Sequence, residues 1–188
     1  PVRPRSCQIV PPGTAGPPRD DTRTTRPDPE WPFATPLPTR EDGAVSLTGV
    51  VVGAGDRGYD GYAKVLLDRP ELGRIVAAAD PDPTRRDRFA DRFGLGTADM
   101  YPGWDELFAE GRLADYAIIT TGDTHHVEPA LLALDAGYHV LLEKPMALEE
   151  ADCVRIVEAA EAADRTVAVC HVFRHSHLFA ALGEVVAS

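Results

Sequence analysis

The sequence predicts an α/β fold, a doubly wound and mostly parallel sheet with helices on both faces. Three observations predict it. Apolar runs of strand length alternate with helical segments, the links between them are short and contain Gly or Asp, and polar residues gather just after the apolar runs. In such folds the crossovers are right-handed, and ligands collect at the carboxyl ends of the strands.

The first strand is the apolar run Val50-Val51-Val52, which stops at Gly53-Ala54-Gly55-Asp56-Arg57-Gly58, three glycines in the spacing GxGxxG. A first helix is expected over 59–68, with Gly73 where its C-terminal region hands over to a second strand, 74–80. An Arg- and Asp-rich amphipathic helix over 84–93 stops at Gly94. A short strand around 98–101 precedes a helix over 104–109 that Gly111 ends. Residues 116–121 form a continuous apolar run of strand length. Pro129 is tolerated only in a first helical turn, so the next helix starts near His126 and runs to Ala136, ahead of Gly137. A strand over 138–142, an Ala-rich helix over 149–163 with Val154, Val157 and Ala160 on one face, and a strand over 166–172 complete the series. Phe89, Phe93 and Trp104 read as core, and Cys153 as a small buried hydrophobe.

The glycine loop points to chemistry through its context. GxGxxG alone is weak, because glycines crowd ordinary turns; here a strand precedes it and a helix follows. Gly53 would make the tight turn, Gly55 would let backbone amides approach a pyrophosphate, and Gly58 would let helix and strand lie close. The pyrophosphate would sit on the free N–H groups of the helix N-terminus. Asp80 ends the second strand 22 residues after Gly58, near the spacing of roughly 20 expected of the acid that binds the adenosine ribose hydroxyls. That carboxylate favours NAD over NADP, while Arg85 and Arg86 stand close enough to accept a 2′-phosphate. Asp80-Pro81-Asp82-Pro83 also reads as a turn capping the following helix.

Polar residues follow three further strands: Thr121-Gly122-Asp123-Thr124-His125-His126, Glu143-Lys144-Pro145 and His171. A lysine at a strand end can contact a substrate hydroxyl or carbonyl and, where partly desolvated, move a proton, a role closed to arginine. The chain has only two lysines, Lys64 and Lys144, beside 17 arginines, which draws attention to what arginine could not do there. In another context the tripeptide would read as a Glu-Lys pair in a surface turn. The His125-His126 pair reads either as a polar group beside the cofactor or as an exposed turn. No metal site is expected, because the run Cys170 to His177 fits no common zinc spacing.

Composition divides the chain near residue 45. Residues 1–45 hold 11 of the 17 prolines, six Arg against six acidic residues, and hardly any apolar run, so they are expected to be a disordered tail. From residue 46 onward, 13 basic and 24 acidic residues account for the whole net charge of −11, a surface that repels nucleic-acid phosphates. No window reaches the roughly 18 apolar residues of a membrane span. Three scattered cysteines form no disulfide framework, so a reducing cytoplasm is the expected compartment.

The chain from about 46 to 180 resembles the N-terminal, Rossmann-type domain of the glucose-fructose oxidoreductase, inositol dehydrogenase and MocA family. The resemblance is carried by 52–58, by 78–83 (Ala-Ala-Asp-Pro-Asp-Pro), by 130–137, by 142–147 (Leu-Glu-Lys-Pro-Met-Ala) and by 169–174. It implies NAD as cofactor, with NADP possible, and hydride exchange with a secondary alcohol or carbonyl of a sugar or polyol. It assigns Gly53, Gly55, Asp56, Arg57, Gly58 and Asp80 to the cofactor. Lys144 would lie near the nicotinamide and the reacting oxygen, as the catalytic residue. Glu143 and Pro145 would shape the nicotinamide-ribose site, and Thr121 and His126 would line the cofactor channel. Gly122 and Asp123 stand where a Pro-Asn pair is frequent. Family members continue into a second domain, an open antiparallel sheet that completes the active site and through which they usually associate. Residues 174–188 would open that domain, the chain by itself would be inactive, and the full-length protein would be a homo-oligomer. An NAD-dependent glycosidase of the same family and a noncatalytic nucleotide-binding protein are the alternatives.

Overall fold

The computed structural model describes residues 47–187. The expected tail, 1–45, lies outside the described residues. Six strands form one sheet: β1 (Thr48–Val52), β2 (Arg74–Ala79), β3 (Met100–Tyr101), β4 (Tyr116–Ile119), β5 (His139–Leu142) and β6 (Val167–Val169). Their order is β3-β2-β1-β4-β5-β6, and every neighbouring pair is parallel. Chain order reverses between β1 and β4, the place where doubly wound sheets take ligands.

Alternation along the strands sends side chains into two cores. Val50 and Val52, with Ala117, Ile119, Val140 and Leu142, pack on the face covered by α3 (Trp104–Ala109), α4 (Val127–Asp135) and α5 (Glu150–Ala163). Val51, Ala78 and Ile118 pack on the other face against Ala63 and Phe89. That face is covered by a π-helical segment, Arg57–Ala63, that runs on into α1 (Lys64–Asp68), and by α2 (Pro83–Phe93). Val50, Val51 and Val52 are at most 1% exposed, and each contributes roughly 1.5–3 kcal/mol by leaving water.

Local chemistry sets the ends of α2. The Asp82 side chain accepts from the Thr84 amide at 2.9 Å, Pro83 opens the first turn, and Gly94 closes the helix in the left-handed region at φ 65°. Several expected boundaries shift. The first helix begins two residues early, at Arg57, and β3 is cut to two residues because Thr97–Asp99 closes a 3-10 turn. β6 ends at Val169, and the chain after it coils through a second 3-10 turn, Val172–His175, before α6 (His177–Ala187). On α5 the buried stripe is Ile156 and Ala160, one turn apart. Val154 and Val157, expected to share a face with Ala160, are 48% and 47% exposed, because 100° per residue carries them off the sheet-facing line.

Candidate functional site

The glycine loop leaves β1 pinned from both sides. Gly53 donates its amide to the Ala79 carbonyl of β2 at 2.8 Å, and the Thr120 hydroxyl, just beyond β4, donates to the Gly53 carbonyl at 2.8 Å. Gly53 has φ 98°, a conformation that favours glycine, and a Cβ on Gly58 would overlap the Gly53 carbonyl oxygen. Gly55 differs: a Cβ there would meet only the Arg85 guanidinium at 3.8 Å, so its missing side chain leaves space outside the fold. The helical segment that follows begins at Arg57, and Asp56 before it makes no side-chain cap, leaving the first amides without a side-chain acceptor.

Asp80, at the end of β2, is 3% exposed. One carboxylate oxygen accepts from the Ala54 amide at 2.9 Å and the other from the Asp82 amide at 2.9 Å, so the residue fastens the glycine loop to β2. Arg85 stands 3.7 Å from Asp80 and 3.7 Å from Asp82, half exposed. Arg86 is turned inward and donates to the Asp80 and Pro81 carbonyls. A cavity of about 390 Å³ opens between the β1, β2 and β4 strand ends, lined among others by Gly53, Gly55, Asp80, Arg85, Thr121 and His125. Trp104, expected wholly in the core, packs against it and also lines this cavity.

Across the glycine loop from that cavity lies the loop after β5. Glu143 is 5% exposed. Its Oε1 accepts from the Tyr62 hydroxyl and from Arg57 Nε, both at 2.6 Å, and its Oε2 accepts from the Lys144 amide at 3.0 Å. Burial, aided by the Cys170 thiol and the Glu143 carboxylate, pushes the Tyr62 phenol far above its usual pKa, so Tyr62 stays a donor. Glu143 therefore pairs with Arg57 rather than with its neighbour Lys144. The Lys144 side chain is exposed, and the Lys144–Pro145 peptide is cis.

The two adjacent histidines part company. His125 is exposed, with Nδ1 3.0 Å from the Thr124 hydroxyl. His126 has no accessible surface, and its ring nitrogens lie 2.6 Å from the Pro145 carbonyl oxygen and 3.1 Å from the Thr121 carbonyl oxygen. His126, expected to line the cofactor channel, is enclosed instead, and its ring joins the loop after β4 to the loop after β5. Asp56 is exposed and pairs with Arg88 at 3.4 Å. Asp123 opens an exposed 3-10 turn, Asp123–His125. Tyr62 was missed by sequence reasoning: its one signal is a position four residues after Gly58, on the helix that the glycine loop opens.

The residues present suit a dinucleotide: an open space over Gly55, uncapped helix amides, a strand-end carboxylate and a partly apolar cavity. No group of three or more metal-ligating side chains occurs among the described residues. None of the helices described is long and apolar enough to cross a membrane.

Residues 47–171 match the family described as "Oxidoreductase family, NAD-binding Rossmann fold". Inositol 2-dehydrogenase 3 of Saccharopolyspora erythraea is 37% identical over 113 residues, 60% of this chain and 32% of that protein. Inositol 2-dehydrogenase of Salmonella typhimurium is 29% identical over 117 residues, 62% of this chain and 34% of that protein. Among solved structures, an oxidoreductase from Agrobacterium radiobacter in complex with NAD+, L-tartaric acid and magnesium superposes with TM-score 0.61 at 26% identity, over 68% of this chain and 36% of that one. The WlbA dehydrogenase of Bordetella pertussis, in complex with NADH and UDP-GlcNAcA, shares the fold with TM-score 0.67 at 21% identity, over 76% of this chain and 42% of that one. The chain spans about a third of the length of the curated relatives it matches. With the family matched over most of the described residues, the chain belongs to the glucose-fructose oxidoreductase, inositol dehydrogenase and MocA oxidoreductases, as their NAD-binding Rossmann domain.

Proposed function

We propose that this chain is the nucleotide-binding part of an NAD(P)-dependent oxidoreductase acting on a secondary alcohol or carbonyl of a sugar or polyol. The observation that carries the proposal is the gathering of the glycine loop, Asp80, Thr121 and Glu143-Lys144-Pro145 at the carboxyl ends of four neighbouring parallel strands. In this account the cavity beside Asp80 takes the adenosine half of the dinucleotide. Gly55 and the helix start beyond it would hold the pyrophosphate, and the loop after β5 would hold the nicotinamide half. Bound there, the cofactor supplies the hydride donor or acceptor. Asp80 favours NAD, and Arg85 is the group that would tolerate a 2′-phosphate.

The chain's own residues bind, orient and move one proton. Glu143, held by Arg57 and Tyr62, fixes the backbone that presents Lys144. Lys144 Nζ takes the proton from the substrate hydroxyl during oxidation and returns it to the carbonyl oxygen during reduction. Residues 174–188 lead into the domain that completes the substrate pocket.

The test is polyol-dependent formation of reduced nicotinamide by the full-length protein. Activity abolished by Lys144→Ala, with NAD affinity retained, is the expected result. Equal turnover by that variant sinks the assigned role. Glycoside cleavage without accumulation of reduced nicotinamide would instead identify a glycosidase.

A further inference from the structure

His126 is buried completely, yet carries two polar atoms, and each meets a carbonyl from a different loop of the site. Nδ1 lies 2.6 Å from the carbonyl of Pro145, next to Lys144. Nε2 lies 3.1 Å from the carbonyl of Thr121, on the rim of the cavity beside Asp80. Both partners are carbonyl oxygens, which only accept, so a ring nitrogen bonds its partner by donating. Thr121 is held a second time, since its hydroxyl donates to the His125 carbonyl at 2.7 Å. The loop after β5 is tied on its other side by Glu143. The ring thus stands between the two cofactor-side loops at the end of α4, where its backbone caps the helix.

We propose that His126 is a positioning residue that keeps the loop after β4 and the loop carrying Lys144 in one register, so that the two halves of the dinucleotide site are set together. The proposal deepens the function above and rests on it for the ligand, though the linkage between the loops stands without the ligand.

Two near-isosteric substitutions separate the links. The amide nitrogen of His126→Asn falls near Nδ1 and keeps the tie to Pro145; that of His126→Gln falls near Nε2 and keeps the tie to Thr121. Amide hydrogen exchange of the unliganded 188-residue chain reads the loops directly. Asn is expected to speed exchange in 121–126 roughly tenfold and leave 143–147 unchanged, and Gln the reverse. Titration with NAD and with ADP-ribose, which lacks nicotinamide, gives a readout that general loosening would not split. Gln is expected to weaken NAD about tenfold while sparing ADP-ribose, and Asn to weaken both. Equal acceleration in both segments, no change in either, or failure of both variants to fold would overturn the proposal. If the unaltered chain binds neither ligand, the function falls, and the exchange experiment still decides the linkage.

Discussion

The two edges of the sheet place their carboxylates differently. At the carboxyl edge Asp80, His126 and Glu143 are 3%, 0% and 5% exposed, each inside a set of hydrogen bonds. At the amino edge Asp115 ties β1 to β4 by accepting from the Thr48 amide at 2.9 Å and the Thr48 hydroxyl at 3.0 Å, and it pairs with Arg112 while 42% exposed. His139 accepts from the Thr166 amide at 3.1 Å and is exposed as well. Both edges are stitched together, so stitching does not require burial. Removing a carboxylate from water costs several kcal/mol before its partners compensate. The chain bears that cost where the glycine loop and Lys144 are presented.

Substitutions can break this contrast, and the largest effect is expected at Gly58. Gly58→Val forces a side chain into the Gly53 carbonyl and should cost about 3 kcal/mol or more, read by thermal unfolding. An unchanged melting temperature would show that the loop is not held as described. Glu143→Ala should cost about 2 kcal/mol, because Tyr62 loses its acceptor and the half-exposed Arg57 must find water. Asp115→Ala, its counterpart at the amino edge, should cost about 1 kcal/mol. Denaturant unfolding that ranked Asp115 above Glu143 would abolish the contrast between the edges.

A smaller effect is expected from pH. Partial desolvation by the packed backbone around it, with the Arg165 and Arg112 charges nearby, holds the imidazole of the otherwise exposed His139 below its ordinary pKa. The unfolded chain then binds the proton more readily, so this group's contribution to stability is intact above about 6.5 and declines as pH falls from there toward the depressed folded value. His139→Gln should flatten that part of the stability profile, and an identical slope would remove His139 from it. The smallest effect on stability belongs to Lys144→Ala, within about 0.5 kcal/mol, since the side chain is exposed and supports nothing in the fold.

Much of the carboxyl edge was legible because local sequence writes it. A strand, a GxGxxG turn and an acid about 20 residues on are set by backbone sterics and short spacing, and they fall where expected. The helix ends marked by Gly94 and Gly137 were legible for the same reason. What pairing over distance decides was not. Tyr62 meets Glu143 across 81 residues, and no periodicity announces that contact. His125 and His126 are chemically alike in sequence, and the carbonyls of Thr121 and of Pro145, 19 residues on, meet only the one turned inward. The face of α5 was misjudged because several apolar stripes compete on an Ala-rich helix, and the sheet selects the one containing Ile156.

We propose that the carboxyl edge holds a nicotinamide dinucleotide over Gly55. Calorimetric titration of the folded chain with NAD, beside Gly55→Val, tests it most directly. The prediction is one-to-one binding that Gly55→Val weakens by tenfold or more while the melting temperature stays, because that position has space in the fold and none under a pyrophosphate. A folded chain that binds no NAD, or a Gly55→Val variant that binds it equally well, would contradict the account.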